Sequence, residues 1–533
     1  MEKTYLITSA WPYVNGSPHI GHIAGAYLPA DIYKRYCNLK GRDSIYVSGS
    51  DMHGVPTITT AESMGKKPIE VAYYFDNVWR RVLSKFEINF DLYSTTEEEN
   101  HKKMVQEIFL SLLSNGYISL GKEIQPYCKN EKRFIPDRYV IGKCPRCGKE
   151  NVKVGESCEE CNKLNSFEDV IDPKCKICKS TPILKETENF FLELPKLESE
   201  IKNYLKTRKT SFRKDVYDLS IGFIKEGLKR RSITRDIEYG IPVPVKGYEH
   251  KVIYVWFEAL IGYLSASEKL TKDWTKYWNS NSNILMFLGK DNIIFHTIIL
   301  PAILIAYNKN INLPTNIIGN EYVLLEGRKM SKSDNHLLEA EYLIDNFGSD
   351  ASRFYITYSM PENKDFNFTW KEFGQTYNSG LSSNIGNYIH RTLTFLQNNF
   401  NGEIKEGEID KEDIEYIKQA FKNVEGYLEN FEYQNTIKEI LKLSDRANQR
   451  FNTLKIWESK DKDSMYTLMQ YVYALCILLK PITPKAIEKL EEILHVKVTK
   501  YEYIPYTGKI GTPQILFPKI EDSRIQEETD KVK

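Results

Sequence analysis

The sequence predicts an α/β protein: a parallel sheet split by an inserted module and followed by an all-α helix bundle. Three observations predict it. Residues 1–117 alternate short apolar runs with amphipathic helical patterns, as strands joined by crossover helices do. The alternation breaks at about Tyr117 into a stretch, residues 118–190, rich in Cys, Gly, Pro and Lys, and resumes beyond it. From about Asn378 the strand patterns stop and helical spacing alone continues. A chain of 533 residues has room for roughly three or four domains. Its 41% hydrophobic and 27% charged residues are ordinary for a globular fold.

Thr4–Thr8 reads as a buried strand, Ile23–Tyr36 as a helix and Ser44–Ser50 as a second strand ending in Asp51-Met52-His53-Gly54. Ile69–Phe86 and Glu97–Leu113 read as amphipathic helices. After the insertion the sheet pattern is expected to resume at Lys251–Tyr263, Asn283–Leu288 and Asn316–Leu325. Ala10 and Asp51 lie just past strand ends, where ligands of parallel sheets bind. In the all-α part, Ile414, Ile417, Phe421, Val424 and Leu428 keep helical spacing, as do Ile437, Ile440 and Leu441. The apolar Met465–Leu479 ends at Pro481 and Pro484. The expected division is 1–117 and 191–330 for the two halves of the sheet domain and 118–190 for the insertion. A loop and linker follow over 331–377, then the helical domain over 378–500 and a tail over 501–533 that wraps back.

Net charge is +1, so any nucleic acid must be met by local basic patches rather than a bulk field. The absence of a run of 18 or more apolar residues predicts no transmembrane helix, and the start of the chain carries no signal-peptide pattern. Nine cysteines, six of them in three Cys-x-x-Cys pairs, then point to metal rather than disulfides and to a reducing cytoplasm. Cys144, Cys147, Cys158 and Cys161 form two pairs ten residues apart, with Gly148 and Gly155 available for the turns. Four thiolates at that spacing make a closed, structural zinc site. For Cys175 and Cys178 the upstream partner is Cys128, but Glu131 stands three residues after it. Zinc held by Cys128, Cys175 and Cys178 with Glu131 or a water, and a decayed site, are both open. Cys37 and Cys476 read as core cysteines.

Two stretches carry the chemistry. Ala10-Trp11-Pro12-Tyr13-Val14-Asn15-Gly16-Ser17-Pro18-His19-Ile20-Gly21-His22 joins the first strand to the first helix. Free N–H groups and the positive end of the helix dipole make such a junction an anion site. Gly21 allows close approach to the backbone, and His19 and His22, three apart, can face the same phosphates. Far downstream, Lys329-Met330-Ser331-Lys332-Ser333 puts two lysines around small residues in a loop after Glu321–Leu325. The duller alternative is two unrelated surface loops. Taken in order, the pair resembles the signature motifs of the class I aminoacyl-tRNA synthetases. The insertion is too short for the hydrolytic editing domain of the isoleucine, leucine and valine enzymes. Zinc knuckles with Trp-Pro-Tyr before the histidine motif are similar to the methionyl-tRNA synthetase family. The resemblance runs from Thr4 to about Trp457, through Ser50–Gly54, Pro136-Asp137-Arg138, Arg235-Asp236, Val255–Tyr263 and Gly289–His296.

The resemblance implies a nucleotide-binding, Rossmann-like catalytic domain and a helical anticodon-binding domain. It implies an AMP-forming methionine–tRNA ligase that makes methionyl-adenylate from ATP and L-methionine and then charges tRNA(Met), including the initiator, for translation. His19, His22, Lys329 and Lys332 would be catalytic. Gly21, Gly289, Lys290, Asp291 and Lys332 would bind ATP with its Mg2+. Trp11, Tyr13, Trp256 and Tyr263 would wall the methionine site, His296 and the Tyr13 hydroxyl would meet the sulfur, and Asp51 would hold the ammonium. A thioether packs well against such rings, although core packing is the usual fate of a ring. Glu258 and Leu260 depart from the common Asp and Pro, a change expected to touch only the local backbone. Asn387, Arg391 and Trp457 would read the anticodon, with Ile456 where Pro is usual. The basic stretches Lys202–Lys214 and Lys225–Arg235 would track the acceptor stem, or be solvated helix faces. Many relatives carry a further C-terminal barrel that dimerises; ending at Lys533, this chain is expected to be a monomer. The role of His53 is left open between the pocket and the core.

Overall fold

A computed structural model of the chain describes residues 3–136, 139–154, 158, 160–161, 166–331 and 336–532. Lys332, Ser333, Asp137, Arg138 and Gly155, all named in the motifs, lie outside the described residues.

Thr4–Ser9 is rich in β-branched and aromatic residues and almost wholly buried, as a central strand must be. It is the middle of a five-stranded parallel sheet ordered Asn316–Asn320, Ser282–Gly289, Thr4–Ser9, Ser44–Ser50, Leu92–Thr95. The chain winds outward from Thr4–Ser9 on one side and returns on the other. The strand order therefore reverses between Ser9 and Gly289, and a crevice opens there at the carboxyl ends. Alternate side chains serve opposite faces: Ile7 joins the core shared with the C-terminal helices, and Leu6 joins the core under Val255–Leu270.

The long hairpin Ile118–Cys128 with Ile183–Leu192 leaves this sheet domain, paired from Ile118↔Leu192 to Tyr127↔Ile183. Its tip carries a small sheet of Val140–Lys143, Val152–Lys153 and Ile171–Cys175. C-terminal helices Asn387–Phe400, Lys411–Glu429, Tyr433–Thr453 and Lys462–Leu479 pack as a bundle. Buried Arg353 ties that bundle to the sheet domain: it pairs with Asp31 at 2.7 Å and donates to the Pro481, Ile482 and Phe86 carbonyls.

Three expectations are corrected. Lys251–Tyr263 is not a sheet strand. Only Val252–Ile253 is extended, and Val255–Leu270 is a helix buried on nearly every side, which erases the apolar-polar period that would have marked it. Asn316–Leu325 is two strands in two sheets, Asn316–Asn320 in the parallel sheet and Val323–Leu325 paired with Phe366–Phe368. Strands do not stop entirely at Asn378: Glu403–Ile404 pairs with Gly508–Lys509 of the tail. Among the described residues one helical stretch, Lys290–Tyr307, is long and apolar enough by composition to cross a bilayer; 61% of it is buried within the protein.

Candidate active site

The helix after Pro18 is continuous from Ile20 to Leu39, with a π-turn at Ile23–Tyr27. His19 and His22 flank its first turn. The His19 Nδ1 accepts from the Gly21 N–H at 3.1 Å, and the His22 Nδ1 accepts from the His19 N–H at 3.1 Å. With both Nδ1 atoms accepting, each neutral ring carries its proton on Nε2. The rings lie 3.8 Å apart between centroids, with Trp79 edge-on to His22. The close approach foreseen at Gly21 is made by its own neighbour: a Cβ there would meet the His19 ring at 2.9 Å.

These histidines line a cavity of about 470 Å³ at the strand-order reversal, with Trp11, Gly25, Gly289, Asp291, Asn292, Glu321, Tyr322, Lys329 and Met330 around it. Lys329 stands with its Nζ 4.9 Å from the Tyr322 ring centroid, and Tyr322 donates to Asp291. Lys290 is at the same strand end, but its ammonium pairs with Glu321 and lies 3.4 Å from Asp365 rather than lining the cavity.

A second cavity, about 490 Å³, opens between the sheet domain and the hairpin. Tyr13, His53, Tyr239, Trp256, Glu258 and Arg235 line it. Trp256 stacks on Phe295 at 3.9 Å and meets Tyr13 edge-on at 5.8 Å. Trp11 stands beside the aromatic group, edge-on to Tyr263 at 6.3 Å, and packs so closely that a Cβ on Gly49 or Gly262 would come within 2.7 or 2.8 Å of its ring. Tyr263 donates to the His296 Nε2 at 2.7 Å, and the His296 Nδ1 donates to the Asn292 carbonyl at 2.8 Å. Burial holds His296 down at about 4, so it is neutral. Both its nitrogens are thus engaged within the protein. Asp51 is buried and accepts from the His53 N–H at 3.3 Å; burial, and then Glu258, push its carboxyl well up. Glu258 corrects an expectation: its carboxylate is wholly buried and paired with His53 at 3.0 Å, so the departure reaches the pocket itself.

In the insertion, the Sγ atoms of Cys144, Cys147, Cys158 and Cys161 lie within 4.8 Å of one another, with Cys144–Cys161 at 3.6 Å and Cys147–Cys158 at 3.7 Å. A tetrahedron of metal–sulfur bonds near 2.3 Å has edges of about 3.8 Å, so this donor set fits zinc. Cys147 and Arg146 backbone N–H groups lower the Cys144 thiol, while the neighbouring thiols Cys158, Cys144 and Cys161 raise Cys147, as thiols sharing one site do. Cys128, Cys175 and Cys178 form a second group. The Glu131 carboxylate is not part of it: it turns toward Arg133, and only its backbone N–H meets the Cys128 Sγ. The Ser180 hydroxyl takes that place, 3.4 Å from Cys128 and 3.0 Å from Cys178.

On the helical domain, Arg391 lies over the Phe451 ring at 4.0 Å and donates to Asn448 at 2.8 Å. Trp457, 47% exposed, stacks on the same phenylalanine at 6.0 Å, and Asn387 is exposed one turn before Arg391. Of the basic stretch Lys202–Lys214, Lys202 pairs with Glu198, Arg208 donates to the Pro314 carbonyl, and Arg213 donates to Asn320, Glu362 and Phe431. Those three are structural contacts.

Sequence reasoning missed Glu97, Tyr239, Asn292, Glu321 and Tyr322. The last two follow directly on Asn316–Asn320, so the rule that ligands sit past strand ends could have found them. Glu97, two residues past Thr95, and Asn292, three past Gly289, fall under the same rule, and nothing local marks Tyr239.

The chain matches the family described as tRNA synthetases class I (M) over residues 5–393. Methionine–tRNA ligases from Pyrococcus furiosus and Pyrobaculum islandicum are each 37% identical to it. The alignments cover 98% and 99% of this chain and 76% and 96% of those proteins. The solved structure of Mycobacterium tuberculosis methionyl-tRNA synthetase in complex with methionyl-adenylate shares the fold at a TM-score of 0.80, with 21% identity, over 97% of this chain and 100% of that one.

Proposed function

Since this chain belongs to the class I methionine–tRNA ligases, we propose that it attaches L-methionine to tRNA(Met), the initiator included, in two AMP-forming steps. In the first, the methionine carboxylate attacks the α-phosphorus of ATP and pyrophosphate leaves. In the second, a terminal ribose hydroxyl of the tRNA, the 2′-hydroxyl by class, attacks the mixed anhydride and AMP leaves.

Such phosphoryl chemistry asks for positioning and charge stabilisation more than covalent help. The observation that carries the reading is the histidine pair, whose Nδ1 atoms both accept from backbone N–H groups, which sets each ring's proton on Nε2 at the edge of the cavity. His19 and His22 donate to the phosphate oxygens as charge develops. Lys329, with Lys332 beside it in sequence, neutralises the β- and γ-phosphates, and magnesium rides on the ATP. Gly21, Gly289 and Asp291 border the nucleotide, and Lys290 holds Glu321 at its rim. Trp11, Tyr13, Trp256 and Tyr263 enclose the thioether, Asp51 takes the ammonium, and His296 holds Tyr263 in place. Asn387, Arg391 and Trp457 meet unstacked anticodon bases. Cys144, Cys147, Cys158 and Cys161 hold a structural zinc; Cys128, Cys175 and Cys178, with Ser180 or water, are a second candidate site. A monomer working in the cytoplasm completes the reading.

Methionine-dependent ATP–pyrophosphate exchange without tRNA, with leucine, isoleucine, valine and cysteine as controls, tests it. Exchange with methionine alone is expected. Exchange with another amino acid would overturn the pocket assignment, and no exchange from folded, zinc-loaded protein would overturn the activity.

A further inference from the structure

We infer that His53 is a positioning residue for amino-acid capture: clamped between Glu97 and Glu258, it is the internal cation that draws Asp51 toward the charged form that the substrate's α-ammonium completes. This rests on the function proposed above. The geometry is specific. The His53 Nδ1 lies 3.0 and 3.1 Å from the two Glu258 oxygens, and its Nε2 lies 2.9 Å from Glu97. Ionised carboxylates only accept, so a ring with a carboxylate at each nitrogen must donate from both and is an imidazolium. It is 2% exposed and Glu258 is fully buried, so the pairs act with little solvent screening.

The surroundings define the charge balance. Glu97 also pairs with Lys102 at 2.7 Å, Tyr239 meets the His53 ring edge-on at 5.1 Å, and buried His101 is neutral. Asp51 takes the His53 N–H. With Asp51 ionised, the three carboxylates Asp51, Glu97 and Glu258 would face two cations, His53 and Lys102, the latter also 3.3 Å from exposed Glu99, and one buried negative charge would be left over. One monovalent cation completes the set, and the α-ammonium of an amino acid is that cation. Burial pulls the imidazole down, but Glu258 and Glu97 outweigh it and hold it near about 10. For Asp51 the signs reverse: burial and then Glu258 hold its carboxyl well above the usual range even with His53 drawing it back, so an arriving ammonium supplies the rest of the stabilisation of the charged form. Without the imidazolium, the Asp51 carboxyl would rise further and the ammonium would have to displace a more tightly held proton.

The test uses the full-length chain and pyrophosphate exchange. His53→Gln is expected to raise KM for methionine roughly tenfold or more, with kcat far less affected. The KM defect should be largest at low pH and shrink as pH rises and Asp51 ionises again. Adding Glu258→Gln removes one of the opposing carboxylates and should return KM toward the parent value, which a merely structural histidine would not allow. Methioninol, which keeps the ammonium, should bind His53→Gln more weakly, while 4-methylthiobutanoate, which lacks it, should bind both proteins alike. An unchanged KM, equal losses for both ligands, or a folded double variant worse than the single one would overturn the proposal. Nitrogen-15 spectra of histidine-labelled parent protein must show one imidazolium at mildly alkaline pH, whatever the variants do; its absence also overturns it. A parent chain with no methionine-dependent exchange would instead defeat the proposed function.

Discussion

The two histidine groups of the sheet domain are built in opposite ways. His19 and His22 are half-buried, and their rings are fixed by backbone N–H groups within three residues of themselves. His53, His101 and His296 are buried, and each is fixed by a side chain far along the chain: Glu258, Ser265 and Tyr263. On the proposed function the first group faces a cavity where charge develops, and needs donors that stay put whatever binds. The second sits deep beside the aromatic pocket, where burial sets each proton and neighbours decide its sign. His53 is held charged, near about 10, while His101 and His296 are held neutral, at about 3 and about 4. Local chemistry fixes where the proton sits in one group, and tertiary chemistry sets the charge in the other.

The contrast can be broken at four points. His22→Ala should cut kcat for methionine-dependent exchange by about 10²- to 10³-fold, with KM for methionine moving far less; a dominant KM effect would place His22 with the pocket group. Tyr263→Phe leaves the His296 Nε2 a buried acceptor without its donor, at about 1–3 kcal/mol, to be read as a fall in Tm and a rise in KM for methionine with wild-type kcat. Cys144→Ser should abolish zinc binding at the hairpin tip by metal analysis and speed amide exchange over residues 140–154, while the parallel sheet keeps its protection and exchange activity persists; loss of the sheet as well would show that the tip is not built locally.

The smallest effect is in stability against pH. His101 and His296 have folded pKa values depressed below the ordinary 6.5. Below 6.5 the unfolded chain binds protons that the folded one refuses, so their contribution is full above that pH and is lost as pH falls toward about 3 to 4. His53 has the opposite sign, contributing below 6.5 and losing its contribution as pH rises through about 10. His101→Asn, which retains a donor for Ser265, should flatten the acid limb of Tm against pH and leave the alkaline limb as it was. An unchanged acid limb would mean that His101 is protonated in the fold.

Chemistry set by neighbours in sequence is legible from the order of residues alone. The apolar runs around Thr4 and Ser44 announce strands because central strands are buried on both faces. His19-Ile20-Gly21-His22 announces its site because a capped first turn needs only those residues, and the paired cysteines announce a tetrahedral donor set because each Cys-x-x-Cys is a single knuckle. Helix Val255–Leu270 is illegible for the converse reason: buried all round, it has no polar face to give it a period.

What the fold alone decided lies in pairs that are remote in sequence. Glu258 reads as a mild backbone change until packing places its carboxylate on His53, and Glu131 reads as one of several open choices beside Cys128 until the turn aims it at Arg133 and puts Ser180 by the thiols. The order of residues dictates hydrogen bonds and periods that close within a helical turn or a strand. Charge state and ligand geometry in a buried site depend on which distant groups share its low-dielectric volume, and packing alone brings those groups together.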